Sequence, residues 1–150
     1  MPQSLAYLQI HLVFSTKNRE PFITDKIRDE LHAYMASLLS DRSCHPVFIN
    51  SVRDHAHILF NLPRTTAVCD IVEDVKKHSS RWIKTKGGEF ASFAWQSGYG
   101  VFSVSLSKVD ETRKYIAGQA EHHRVKTFQE EYRMFLEKHG ISYDERYVWD

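Results

Sequence analysis

The sequence predicts an α+β protein with the ferredoxin-like (RRM-like) order βαββαβ, in which two helices back a four-stranded antiparallel sheet and further helices follow the fourth strand. Three observations predict it. Segments with strand and helix periodicity follow one another in that order, 42% of the 150 residues are hydrophobic, and no internal repeat or low-complexity linker divides the chain. We therefore expect one domain over residues 1–150.

The first half of the chain contains three predicted strands and one helix. From Leu5 to Phe14, apolar residues alternate with more polar ones, as in a strand that has one apolar face. Thr24 can cap a helix whose apolar residues recur at helical spacing and which should end near 40–43. The apolar runs 47–52 and 56–62 are separated by a short polar stretch, so we expect them to form a hairpin.

The second half predicts a helix, a fourth strand and two more helices. The helix should begin at Thr65 or Thr66, because an apolar stripe follows, and it should stop before Gly87. Glycines among aromatic residues indicate a turn followed by a strand within 90–105. The two later helices are expected over 107–123 and 128–139.

Composition and charge exclude several classes of protein. The net charge of +1 gives no strong electrostatic argument for a nucleic-acid partner. The only cysteines, Cys44 and Cys69, are too far apart for a C-x-x-C motif and too few for a disulfide scaffold. No apolar run approaches the roughly 20 residues of a membrane span, and the N-terminus lacks a signal-peptide pattern. We expect a soluble, cytoplasmic protein with no membrane partner.

His55 and His57 form an H-x-H pair at the start of the predicted third strand. Residues two apart on a strand point to the same face, so both imidazoles can lie together with their Cα atoms roughly 7 Å apart and chelate one metal ion. The pattern can also arise by chance in a chain with nine histidines. Because the first and third strands are central neighbours in this fold, we expect Gln9 and His11 to share that face, which should be open.

A second cluster lies in the helix predicted after the fourth strand. Tyr115 and Gln119 are four residues apart and share a helical face, so a phenol and an amide project together. A Tyr flanking the core and a solvated Gln would produce the same spacing. Gly118 favours a functional interpretation, because a glycine within a helix costs about 1 kcal/mol relative to alanine and suggests the close approach of a backbone or substrate.

Four ordered segments extend these two clusters over nearly the whole chain. They are HLVFSTK at 11–17, VRDHAHIL at 52–59, WQSGY at 95–99 and YIAGQAEHHR at 115–124. Together they resemble the single-tyrosine (Y1), HUH-type transposases of the IS200/IS605 insertion sequences, and the likeness runs from about Gln9 to Asp150. Four motifs in order are far more specific than either cluster alone.

The resemblance implies a metal-dependent DNA strand transferase. His55, His57 and Gln119 would hold a divalent cation, Mg²⁺ or Mn²⁺, and Tyr115 would cut single-stranded DNA at hairpin-forming element ends. Its attack would leave a 5′-phosphotyrosine and a 3′-hydroxyl. Because the covalent intermediate conserves the phosphodiester energy, rejoining needs no nucleotide cofactor. The resemblance also implies a homodimer, in which Tyr115 serves the histidines of its own chain or of the partner.

Several residues near these motifs are candidates for DNA contact. Each charged one alone is more often a solvated surface charge, but as a set they could follow a phosphate backbone. The basic candidates are Lys17, Arg19, Arg53, Arg81 and Lys84. The aromatic residues that could stack on unpaired bases, or equally belong to the core, are Trp95, Tyr99 and Phe102.

Four further polar residues have open roles at this point. Asp54 can orient a histidine or simply belong to a turn. His11 can flank the metal site or fill a position in the sheet. His122 and His123 follow Gln119 at a polar helix end.

Two alternatives to a mobile-element transposase stay open. A domesticated relative that acts on repeated chromosomal palindromes would keep the same chemistry. A non-catalytic RRM-like module would share the βαββαβ order and bind nucleic acid through aromatic residues on its sheet. The first and third strands lack an RNP-like pattern of aromatic residues and glycine, and the third carries His55 and His57 instead, which favours the enzyme.

Overall fold

Four antiparallel strands form one sheet in the computed structural model, which describes residues 1–150. The strands are β1 (Gln9–Ser15), β2 (His45–Ser51), β3 (His55–Asn61) and β4 (Gly100–Val104), arranged side by side in the order β2-β3-β1-β4. The helices are α1 (Asp25–Asp41), α2 (Val68–Lys84), α3 (Val109–Ala117), α4 (Gln119–His122) and α5 (Phe128–Lys138). This topology confirms the predicted ferredoxin-like α+β fold.

The two central strands, β1 and β3, set the position of the histidine pair. In their antiparallel register, His57 lies opposite Val13 and His55 lies opposite Ser15. β1 begins at Gln9 and not at the predicted Leu5, because the partner strand β3 ends at Asn61, directly opposite Gln9.

Helices α1 and α2 pack against one side of the sheet, which we call the back face. Leu12 and Phe14 of β1 point into this layer, where 18 buried residues form the main core. Thr24 occupies the N-cap position of α1 as predicted, although its side chain makes no capping hydrogen bond. Helix α2 begins later than Thr65 or Thr66, at Val68. The residues before it form a turn, closed by a hydrogen bond from the Thr66 amide to the Pro63 carbonyl.

Helix α5 covers the opposite side of the sheet, the front face, and so the expectation of an open face is wrong. Its apolar residues recur at helical spacing and pack onto β1 and β4, which gives the front face an apolar cluster of its own. The cluster consists of Val13, Phe102, Phe128, Tyr132, Phe135 and Leu136. The side chains that β1 and β3 present on the front face are consequently enclosed.

Gly100 on β4 allows this close approach of α5. A Cβ atom at Gly100 would lie 2.6 Å from Cε2 of Tyr132, closer than real Cβ contacts come. The absence of a side chain at this one position therefore lets Tyr132 rest against the strand.

The predicted helix over 107–123 is divided into two. α3 ends at Ala117, and Gly118 leaves the helical conformation with φ −87° and ψ 15° before α4 begins. A Cβ at Gly118 would lie 3.3 Å from Nε2 of His122, so the glycine permits close approach of a side chain of the same chain. No helix combines the length and apolar character that a membrane crossing requires.

Candidate active site

His55 and His57 project from β3 to the front face and lie side by side beneath α5. Both are fully buried, and their ring centroids are 5.3 Å apart. β3 is hydrogen-bonded on both edges, to β1 and to β2, so the pair stands on a rigid part of the sheet. Both imidazoles share one face, as their spacing predicts.

The Nδ1 atom of each imidazole contacts a neighbouring side chain. Nδ1 of His55 lies 2.7 Å from Oδ1 of Asp54, and Nδ1 of His57 lies 2.8 Å from Nε2 of His11. These contacts fix the orientation of both rings and direct both Nε2 atoms toward the space beneath α5. Asp54 and His11, whose roles the sequence left open, therefore orient the pair.

The segment after Gly118 brings an amide and a third imidazole to the same point. Oε1 of Gln119 lies 3.2 Å from Nε2 of His55 and 2.9 Å from Nε2 of His123. Gln119 is fully buried, and the ring of His123 packs edge-on against His55 with centroids 4.4 Å apart. The helix break at Gly118 therefore does not separate Gln119 from the histidines.

The carboxylate of Glu131, on α5, lies among all of these groups. Its Oε1 is 3.0 Å from Nε2 of His57 and 3.4 Å from Nε2 of His55. Its Oε2 is 3.3 Å from Nε2 of His123 and accepts a hydrogen bond of 3.3 Å from the Gln119 amide. A fully buried carboxylate is rare unless it is paired, and here every partner belongs to the site.

Tyr115 completes the cluster. Its hydroxyl donates a short hydrogen bond to Oε2 of Glu131, and its ring lies between His57, at 6.1 Å, and His122, on which it stacks at 4.6 Å. Burial and the adjacent carboxylate both raise the pKa of Tyr115 above its ordinary value, so the hydroxyl is protonated at neutral pH. Tyr115 thus meets the histidines of its own chain, and His122 supports its ring.

Burial and hydrogen bonding shift the pKa values of the site residues in different directions. Burial lowers the pKa of both His57 and His11, which keeps them neutral. Burial also acts on His55, but hydrogen bonds with Asp54 and Glu131 outweigh it and raise the pKa of His55 to about 9. For Glu131, burial favours the neutral form, yet the hydrogen bonds of three imidazoles prevail and hold its pKa below the ordinary range.

These side chains fit a divalent cation. His55, His57, His123 and Glu131 each offer one ligand atom, and the four atoms all lie within 4.8 Å of one another. Imidazole nitrogens with a carboxylate oxygen are a donor set that binds divalent metals. The outward-facing Nδ1 contacts of His55 and His57 are the supporting hydrogen bonds that metal-binding histidines usually make. The cluster is therefore a candidate metal centre.

The structure brings the predicted site residues together, and it adds two that sequence reasoning missed. The predicted residues are His55, His57, Tyr115 and Gln119. The two additions are His123, to which no role had been assigned, and Glu131. Both carried a detectable signal: His123 continues the four-residue spacing of Tyr115 and Gln119, and Glu131 is a charged residue within the apolar stripe of α5.

The five basic residues considered for DNA contact all lie on the surface, and none of them forms an ion pair. Lys17 and Arg19 follow β1, and their turn adjoins that of Arg53, since the Thr16 amide donates to the Asp54 carbonyl over 2.8 Å. These two turns lie at the end of the sheet where β3 begins with His55. Arg81 and Lys84 are separate from them, near the end of α2.

The aromatic residues considered for stacking on bases belong mostly to the core. Trp95 is 8% exposed and Phe102 is 3% exposed. Tyr99 is half-buried, with its ring 5.4 Å from the ammonium group of Lys76. Trp95 is therefore a core residue, whereas Tyr99 stays partly exposed and Phe102 borders a groove on the front face.

A groove of about 520 Å³ opens beside Tyr115 on the front face. It lies between β4 and α5, with Phe102 and Phe135 on its walls and His11 at its base. Lys108, Glu111 and Lys138 also line it, and because Lys108 and Glu111 form an ion pair at 3.2 Å, Lys138 is the lining cation without an acidic partner. The groove reaches the nucleophile candidate from the solvent side.

Comparisons with known proteins identify the family and support the fold. The family described as "Transposase IS200 like" matches residues 4–119. None of the curated proteins matches the chain. A solved structure of a candidate transposase from Deinococcus radiodurans R1 has 22% identity and a TM-score of 0.62, covering 79% of this chain and 98% of that one. A REP-associated tyrosine transposase bound to a REP hairpin has 14% identity and a TM-score of 0.61, covering 82% and 74%. At such identities these two structures share the fold.

Proposed function

We propose, from the premise that this chain belongs to the IS200-like transposase family, that Tyr115 cuts and rejoins single-stranded DNA through a covalent intermediate. Membership of the family makes the protein a transposase, an enzyme that cleaves and transfers DNA strands. The observation that carries the finer proposal is the meeting of a tyrosine hydroxyl with a buried cluster of imidazoles and one carboxylate.

The proposed reaction exchanges one phosphodiester for another. The Tyr115 oxygen attacks the scissile phosphorus while the bond from phosphorus to the 3′-oxygen breaks. The phenol loses its proton and the 3′-oxygen gains one, so the products are a 5′-phosphotyrosine and a 3′-hydroxyl. Because the phosphotyrosine retains the energy of the broken bond, a second 3′-hydroxyl can reverse the attack and be joined without a nucleotide cofactor.

His55, His57 and Gln119 are the proposed ligands of a divalent cation, Mg²⁺ or Mn²⁺. The bound ion would supply positive charge that offsets the charge developing on the phosphate oxygens. The protein's own part is to aim the two Nε2 atoms, through Asp54 and His11, and to keep water out of the centre.

The substrate we propose is single-stranded DNA that carries a hairpin. Lys17, Arg19 and Arg53 are exposed and have no acidic partner, so they are free to contact phosphates at the end of the sheet where His55 lies. The groove beside Tyr115 offers Lys138 and aromatic walls to the strand that leads to the nucleophile. Arg81 and Lys84 are proposed to contact a more distant part of the DNA.

A homodimer is part of the proposal, and each chain is proposed to use its own tyrosine. The support for the second statement is the contact of Tyr115 with Glu131 and its position beside His57 within one chain. The RRM-like alternative requires an exposed aromatic sheet surface. Because α5 covers the front face, that alternative has no surface to use.

The experiment that tests the proposal is a covalent-adduct assay. The protein is incubated with Mg²⁺ or Mn²⁺ and single-stranded oligonucleotides that contain the hairpins flanking its own gene. We expect a denaturant-resistant protein–DNA adduct with the wild type and with Tyr147→Phe, in which an exposed tyrosine of the tail is changed. Tyr115→Phe should form none. No adduct with the wild type, or an unchanged adduct with Tyr115→Phe, contradicts the mechanism.

A further inference from the structure

We propose that Glu131 is an additional ligand of the cation and that its second oxygen positions Tyr115, so that docking of α5 and cation binding are linked. The inference rests on the proposed function, because it assigns a further residue to that site. It concerns a side chain outside the four sequence motifs and on a helix that follows them.

The first observation is the spacing of the donor atoms. Neighbouring ligands of an ion bound at about 2.1 Å lie roughly 3.0–3.4 Å from one another, for octahedral and tetrahedral arrangements respectively. Oε1 of Glu131 is 3.0 Å from Nε2 of His57 and 3.4 Å from Nε2 of His55. Oε1 of Gln119 is 3.2 Å from Nε2 of His55. The Glu131 carboxylate therefore stands to the histidine pair as one ligand stands to the next.

The second observation is charge. His55, His57 and Gln119 form a neutral set, and they would enclose a doubly charged ion in a place from which water is excluded. Burying a charge is costly unless an opposite charge accompanies it. Glu131 is the carboxylate that can supply that charge, since it is fully buried and its Oε1 lies 3.0 Å from Nε2 of His57 and 3.4 Å from Nε2 of His55. One negative ligand leaves a single positive charge on the centre, which still attracts a phosphate.

The third observation is the division of labour between the two carboxylate oxygens. Oε1 faces the histidine pair on β3, whereas Oε2 accepts the hydrogen bond from Tyr115 and contacts Gln119 and His123. One side chain thus spans the rigid half of the site and the half that carries the nucleophile. Glu131 is the positioning residue that sets the Tyr115 hydroxyl against the metal centre.

The linkage to α5 follows from the position of Glu131 in the chain. The carboxylate reaches the site only when α5 lies on the front face, with Tyr132 against Gly100 and Phe135 in the apolar cluster. An ion that binds only when α5 is docked stabilises the docked state by mass action. We therefore expect cation binding to tighten α5, and undocking of α5 to weaken cation binding.

The test is a calorimetric titration with Mn²⁺ of the wild type, Glu131→Gln and Glu130→Gln. Glu130 precedes Glu131 on α5 and is exposed, so its variant makes the same chemical change outside the site. We expect Glu131→Gln to bind Mn²⁺ at least about 10- to 100-fold more weakly than the wild type, as happens when groups that support a metal are lost. Glu130→Gln should bind like the wild type.

A second measurement needs no variant and covers the case in which Glu131→Gln fails to fold. Hydrogen exchange of the wild type is followed with and without Mn²⁺. We expect Mn²⁺ to slow exchange of the amides of 128–138 at least about tenfold, while the amides of α1 change little.

Two results would overturn the inference. One is a folded Glu131→Gln that binds Mn²⁺ as tightly as the wild type or more tightly. That result would mean that the Glu131 carboxylate competes with the ion for its position and is not one of its ligands. The other is Mn²⁺ binding to the wild type without protection of 128–138. The adduct assay separates this inference from the proposed function: a Tyr115-dependent adduct upholds the mechanism whichever way the Mn²⁺ titration falls.

Discussion

The back face and the front face of the sheet are enclosed by helices in different ways. On the back face, 18 buried residues from the sheet, α1, α2 and the adjoining loops form an apolar core. On the front face, an apolar cluster of only six residues borders a buried set of polar side chains, which includes His11, His55, His57, Gln119 and Glu131. The two faces therefore depend on different forces.

The difference shows where stability and chemistry reside in this molecule. Apolar burial on the back face is favourable without any specific partner. Burying a polar group on the front face costs free energy unless that group forms a hydrogen bond or an ion pair. The arrangement of β3, α4 and α5 therefore has to be accurate. A cation at the centre would add to that dependence. We expect the back face to hold the fold and the front face to respond to ligands.

The largest expected effect comes from the back face. Phe60 is fully buried there, and Phe60→Ala should lower the free energy of unfolding by about 3–5 kcal/mol, because a cavity replaces the ring. Met134→Ala, at a position of α5 that is 37% exposed, should change it by no more than about 0.5 kcal/mol. Urea unfolding measures both. Equal effects of the two changes would mean that the back core does not dominate stability.

An intermediate effect is expected from Gly100→Ala on the front face. The new methyl group would meet the Tyr132 ring, so α5 must shift, at a cost of about 1–3 kcal/mol. The matched control is Gly88→Ala, since a Cβ there has no neighbour within 4 Å. Thermal unfolding gives the stability, and a Mn²⁺ titration should show weaker binding for Gly100→Ala alone. Unchanged Mn²⁺ binding in that variant would mean that the metal centre does not depend on how α5 packs against β4.

Taken per pH unit, the smallest expected effect is the response of the front face to pH. His55 has a pKa of about 9 in the metal-free protein, so it is protonated at pH 7.5 and must lose its proton to bind a cation. Binding should release about one proton, and affinity should rise about tenfold per pH unit up to pH 9, equivalent to about 1.4 kcal/mol per unit. Titrations in buffers of different ionisation enthalpy count the protons. A Mn²⁺ affinity that stays constant between pH 7 and 9 would contradict the role of His55 as a ligand that loses its proton on binding.

The two faces also differed in how far the sequence could predict them. The order of strands and helices follows from periodicity, and the shared face of His55 and His57 follows from their spacing on a strand. The covering of the front face by α5 did not follow. The spacing of apolar residues predicts that a helix has an apolar side, but it does not predict which surface of the sheet that side packs against.

Glu131 and His123 illustrate why the site itself was only partly predictable. Both are distant in sequence from His55 and His57, and they reach the site through the turn after α4 and the docking of α5. His123 continues the spacing of Tyr115 and Gln119, but no spacing in the sequence places Glu131 opposite β3. The helix break at Gly118 was equally hard to predict, because a glycine can lie within a helix or end one.

The sequence distances within the site also bear on how the protein folds. His55 and His57 belong to a hairpin of neighbouring strands, whereas Gln119 and Glu131 contact them across 64 and 74 residues. Contacts that close such long loops form late, because their entropy must be lost before they contribute. We expect the sheet and its back layer to form first and the metal centre to assemble last. A nascent chain would then acquire its cutting activity only after α5 has emerged and docked.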